Sequence, residues 1–209
     1  MALFGYISNY IASLYVKNNI IPPEHKEVYR GGVELILNEA FTFVLVILLS
    51  AIFFKIRYGI EFLVTMCITR VYCGGFHAET TFVCRLTMLL TSIAVFLISN
   101  LLVGLSQIYI FLILAVSFIG LLPLIPVRHP NKNLTKELIS KNRRRGIMSF
   151  LFFSAVSVAL YQLDFAEDSL VIVLSLTSVT ALAVLGTLMN KYKYDKLNIG
   201  GQNDKDCNM

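Results

Sequence analysis

A histidine and a cysteine seven residues apart, His77 and Cys84, stand in the stretch Arg70-Val-Tyr-Cys-Gly-Gly-Phe-His-Ala-Glu-Thr-Thr-Phe-Val-Cys-Arg85, a polar, glycine-bearing break in an otherwise apolar chain. A thiol attacks a carbonyl only as its thiolate. An imidazole within hydrogen-bond reach can take the thiol proton and later hand it to a departing amine. Thr80 or Thr81 can cap a helix running into Phe82-Val83-Cys84-Arg85, which puts the sulfur in a first turn, where the helix dipole and unpaired N–H groups favour negative charge. Arg70 and Arg85 push the same way. Seven residues of straight helix would leave the two groups on one face but roughly 10 Å apart along the axis, too far to share a proton. The spacing therefore predicts a bend between them or before Cys84, and Gly74-Gly75 supplies permissive backbone for it. Other readings use the same residues. An interfacial loop can carry a cysteine and a histidine with no chemistry. Cys73 lies four residues before His77, so a helix would set those two side by side. Cys73, His77 and Cys84 could also be zinc ligands, although no second histidine or CxxC stands nearby to complete a tetrahedral set.

The run Arg70, Gly74-Gly75-Phe76-His77-Ala78 and Cys84 closely resembles the signature of accessory gene regulator protein B (AgrB), the membrane cysteine endopeptidase of Gram-positive quorum sensing. The likeness extends to chain length, to the number and order of apolar segments and to the basic central stretch, so it covers most of the chain. The resemblance implies that His77 and Cys84 are the catalytic pair and that Cys73 is not at the catalytic position. It implies an AgrD-type propeptide as substrate, cut near its C-terminal end and closed into a thiolactone or lactone ring, and a homodimeric enzyme. Neither the residues nor the resemblance calls for a metal or another cofactor.

The elements that must position this pair are apolar helices. Apolar residues make up 56% of the 209 positions and charged residues 15%, with a mean hydropathy of +0.71, well beyond the soluble balance. This composition predicts an all-α integral membrane protein. The net charge of +5 gathers in patches that suit loops near anionic lipid, and no DNA- or RNA-binding motif is present. Cys67, Cys73, Cys84 and Cys207 form no regular framework, and no structural disulfide is expected.

From the N-terminus, Leu3, Ile7, Tyr10, Ile11, Leu14 and Tyr15 recur at three- and four-residue steps, which predicts an amphipathic helix lying in the interface. Pro22-Pro23 ends it and Glu24-His25-Lys26-Glu27 follows in water. A first span covers about 33–54, its opening turns carrying Glu34, Asn38 and Glu39, of which one could orient His77 or bind substrate. Residues 59–69 are apolar, but Arg70 stops the run, so this second segment reads as short or re-entrant. Further spans follow at about 82–103, 108–127, 146–163 and 169–189. Residues 128–145 read as a basic loop in which Arg128, Lys132, Lys136, Lys141, Arg143, Arg144 and Arg145 stand against Glu137. Residues 191–209 read as a polar tail, and 1–209 as one polytopic domain with 1–32 its interfacial region.

The positive-inside rule puts the 128–145 loop in the cytoplasm. Counting outward gives about six segments with both termini inside, and puts His77, Cys84 and Glu34 on the cytoplasmic side of the cell membrane. Lys55 and Arg57 then fall outside, against the rule. Gly74, Gly75, Arg70 and Glu34 are candidate supporting residues, and Arg143, Arg144 and Arg145 could grip an acidic part of the peptide. The rival of another class is a carrier or exporter with Glu34, Arg70 and His77 as intramembrane polar sites.

Overall fold

The computed structural model describes residues 2–74, 80–104, 106–125 and 135–206, and the side chains within those ranges other than at 2, 3, 136 and 193–206. Among the described residues all regular structure is helical: α1 (Ala2–Lys17), a single 3-10 turn (Pro23–His25), α2 (Lys26–Phe53), α3 (Ile56–Cys73), α4 (Thr81–Leu101), α5 (Gln107–Leu121), α6 (Lys136–Gln162) and α7 (Ala166–Asp206). Among the described residues four helices are long and apolar enough to cross a membrane, spanning 23–53, 81–101, 137–162 and 166–192.

The core forms around α7. In its most apolar 18-residue window 61% of residues are buried, against 22% in each of the other three spans. A helix that is apolar all round must be covered all round, and α3, α4, α5 and α6 all pack on α7. Leu170, Val171, Val173, Leu176 and Val179 are sealed by them. The outer helices bury one stripe each. On α4 the stripe is Met88, Ser92, Val95, Phe96 and Ser99, a helical period in which Phe96 meets Phe54, Tyr58 and Phe62 at centroid separations of 5.4, 6.2 and 5.8 Å. On α2 it is Asn38, Thr42, Val46 and Ser50, small or polar residues that let a neighbour come close. Gly59 of α3 uses that room: a Cβ there would collide with the Ser50 side chain. The opposite faces carry exposed Leu48, Ile52, Leu90, Val116, Ile119 and Phe152, an apolar exterior suited to lipid. Buried hydroxyls fasten helix to helix: Ser117 to Thr177 at 3.0 Å, Ser157 to Ser169 at 3.1 Å, and Thr180 Oγ1 donating to the Ser117 carbonyl at 3.1 Å.

Several expectations change. Arg70 does not interrupt its helix: α3 is an unbroken 18 residues and runs one turn further, to Cys73, because charge alone does not break helical hydrogen bonding. Residues 136–145 are not loop but the opening of α6. The Thr135 hydroxyl accepts from the Leu138 N–H at 3.4 Å, and no glycine or proline stands between that cap and Gly146. The 126–134 part of the basic stretch lies outside the described residues. The tail is likewise helical, α7 continuing to Asp206. Lys26 already belongs to α2, so residues 18–25, ending in the 3-10 turn, separate α1 from it. Glu167 and Asp168, just before the span expected from about 169, lie in the first turn of α7, where the helix dipole favours carboxylates.

The charges that broke the positive-inside pattern are compensated. Lys55 pairs with Glu167, and Arg57 Nε lies 2.9 Å from Asp168 Oδ1. Tyr58 also donates to Glu167 at 2.7 Å. This cluster marks one end of the bundle. At the other end Asn38 of α2 meets Arg85 of α4, and Tyr72 of α3 meets Arg145 of α6.

Candidate active site

The cysteine-bearing segment folds as its residue types dictate. Thr80 is extended, at φ −116° and ψ 141°, and its hydroxyl accepts from the Val83 N–H at 3.3 Å. That is an N-cap, and it fixes where α4 begins. The Cys84 N–H makes the next bond, to the Thr80 carbonyl at 3.2 Å. Cys84 therefore closes the first turn of α4 and is half-buried there. The capped start expected from Thr80 is present.

Gly74 ends α3 with φ +75°, its N–H bonded to the Arg70 carbonyl at 2.9 Å. A side chain would be strained at that φ, so the glycine lets the chain leave the helix toward the histidine. Gly75 and His77 lie outside the described residues. Arg70 is half-buried one turn before Gly74.

Cys73 stands in different surroundings. It is fully buried, and a Cβ placed on Gly146 would stand 3.0 Å from its sulfur. Beside this contact Arg145 lies over the Tyr72 ring, 5.7 Å from its centroid, so the start of α6 is tied to the end of α3. Arg143 and Arg144 are exposed along with Arg145. Glu34 is half-buried and faces its own helix: Arg30 Nη1 lies 3.6 Å from its carboxylate. Among the described residues no group of three or more His, Cys, Asp or Glu side chains could hold a metal ion.

One contact escaped the sequence. Arg85 reaches across to α2, where Nη2 donates to Asn38 Oδ1 at 2.5 Å and the guanidinium lies 5.0 Å from the Phe41 ring centroid. Asn38 stands near the middle of α2, and nothing in the sequence pattern names its partner 47 positions on.

The sequence model of the family described as accessory gene regulator B matches residues 8–189. The chain belongs to the accessory gene regulator B family. It is also 27% identical over 148 residues to a protein of Clostridium perfringens (strain 13 / Type A) named AgrB-like protein 2, an alignment covering 66% of this chain and 69% of that one. No solved structure matches the chain. Membership of the accessory gene regulator B family ties the protein to the accessory gene regulator system, and with the apolar helices it makes this a membrane protein.

Proposed function

We propose that this protein is a membrane cysteine endopeptidase that cuts an AgrD-type propeptide near its C-terminal end and promotes closure of the product into a thiolactone or lactone. The observation that carries the reading is Cys84, half-buried in the first turn of a helix capped by Thr80, on a chain of this family.

The Cys84 thiol loses its proton to His77, and the sulfur adds to the scissile carbonyl carbon. The N–H groups of Thr81 and Phe82 precede the first internal bond of α4 and receive the oxyanion. Collapse breaks the C–N bond, His77 returns its proton to the leaving amine, and the N-terminal part of the peptide remains as a thioester on Cys84. A thiol or hydroxyl of that same peptide then attacks the thioester carbonyl, closing the ring and freeing the Cys84 sulfur. Exchange of one thioester for another costs little, whereas hydrolysis ends at an acid too stable to cyclise. Seating the intermediate among protein and lipid excludes water. The active site faces the cytoplasm with both termini, and Arg143, Arg144 and Arg145 attract the acidic part of the peptide.

The test is intact-mass analysis of the protein in detergent after incubation with a cognate propeptide, comparing wild type with Cys84→Ser and His77→Ala. A hydroxylamine-labile acyl adduct on the wild type, absent when Cys84 is changed, is the expected result. Persistent cleavage by Cys84→Ala protein would refute the assignment. No adduct and no cleavage would favour a carrier.

A further inference from the structure

Arg85 follows the nucleophile directly, so its Cα lies about 3.8 Å from that of Cys84. Its guanidinium is aimed. Nη2 is taken by Asn38 Oδ1 and the ring of Phe41 covers one side. Asn38 is only 8% exposed and is pinned from behind, its Nδ2 donating to the Glu34 carbonyl at 2.8 Å. The amide oxygen is thereby committed to Arg85.

Among the described residues this arrangement holds no anion. Arg30 has Glu27 and Glu34, and Arg57 has Glu167 and Asp168. Among the described residues no carboxylate pairs with Arg85. Among the described residues its enclosed Nε–H has no hydrogen-bond acceptor, and an enclosed donor left unmade is unfavourable. A guanidinium held in an apolar bundle with a neutral amide and an aromatic ring for company is a receptor for a negative group.

We propose that Arg85, oriented by Asn38 and Phe41, anchors a carboxylate of the peptide substrate beside the Cys84 sulfur. The proposal rests on Cys84 being the nucleophile. A carboxylate answers both deficits, since it neutralises the charge and offers two oxygens to a planar fork of donors. A backbone carbonyl would meet only one of them. This anchor is separate from the exposed arginines of α6: those attract from solution, whereas Arg85 fixes the register of the chain across the cysteine.

The experiment needs no natural substrate. Cys84 of the intact protein in a neutral detergent is alkylated with iodoacetate, which carries a carboxylate, and in parallel with iodoacetamide, its neutral analogue. The modified site is read by peptide mass mapping, and the rate ratio is normalised to that of glutathione. The normalised ratio at Cys84 is expected to favour iodoacetate about 5- to 10-fold, to fall to the glutathione value in Arg85→Gln, and to be partly kept in Arg85→Lys. Asn38→Ala, which leaves the charge but removes its orientation, should give an intermediate ratio. The iodoacetamide rate should change much less than the iodoacetate rate across the series, a split that a merely structural role would not produce.

A wild-type ratio equal to that of glutathione overturns the proposal, as does a preference that survives Arg85→Gln. Parallel loss of both rates would mean that Arg85 acts on the thiolate itself, and would also overturn it. Adding phosphatidylglycerol separates the sources of the anion: abolition of the preference at low lipid content would assign Arg85 to a headgroup instead of a peptide. If Arg85→Gln fails to fold, Arg85→Lys and Asn38→Ala carry the same comparison. Cleavage persisting in Cys84→Ala would refute the peptidase reading without touching the alkylation ratio, so the two failures are distinct.

Discussion

Cys73 and Cys84 are the same functional group in opposite surroundings. Cys73 is sealed under Gly146, with the Ile125 side chain 3.4 Å from a Cβ built on that glycine; Cys84 is half-buried at a helix start. Cys73→Ala should therefore keep cleavage near the wild-type rate, measured with a cognate propeptide in detergent. Gly146→Val should lower the thermal unfolding midpoint, the overpacking costing about 1–3 kcal/mol. Adding Cys73→Ala to Gly146→Val should return part of that loss, because the sulfur is the atom the new side chain strikes. The resemblance to the family signature implies Cys84 over Cys73. The burial of Cys73 was not legible in the sequence, since it depends on a glycine on another helix whose approach no local pattern announces.

At the scale of elements, the capped start of α4 is the feature on which the proposed chemistry depends. Thr80→Ala should cost about 1 kcal/mol of helix stability and lower kcat more than it raises KM, while Thr80→Ser should restore both. That cap could be read from the sequence because capping is local: a hydroxyl three residues before an N–H it can bond. Helix ends without such a mark are harder to place. Charge predicts a stop at Arg70 and a loop over 128–145, whereas α3 runs on to Cys73 and α6 opens at Lys136. Charge governs the depth at which a residue sits in lipid and does not by itself end a helix. Gly74, at φ +75°, is the residue that ends α3. Pairs such as Asn38 with Arg85 and Lys55 with Glu167, 47 and 112 positions apart, depend on which helices are neighbours, and apolar periodicity is silent on that.

The molecule as a whole has two polar ends of different character. One gathers Cys84, Arg85, Gly74 and the arginines of α6; the other pairs Lys55 and Arg57 with Glu167 and Asp168. The Asp168 side chain is 4% exposed and that of Arg57 46%, so the carboxylate is the member that suffers if the pair is broken. Arg57→Gln should destabilise the fold by about 1–3 kcal/mol, and Asp168→Asn on that background should cost less than it does alone, a coupling measurable in a double-mutant thermal cycle. The same pairing has a consequence for the order of events in the making of the protein. Lys55 and Glu167 are 112 residues apart, so at about 5–20 residues per second the ribosome needs roughly 6–22 s to supply the acid after the base. Throughout that interval the α2–α3 hairpin carries two unanswered positive charges at its tip. Its orientation during synthesis depends on the segments around it, and the arrival of α7 locks it.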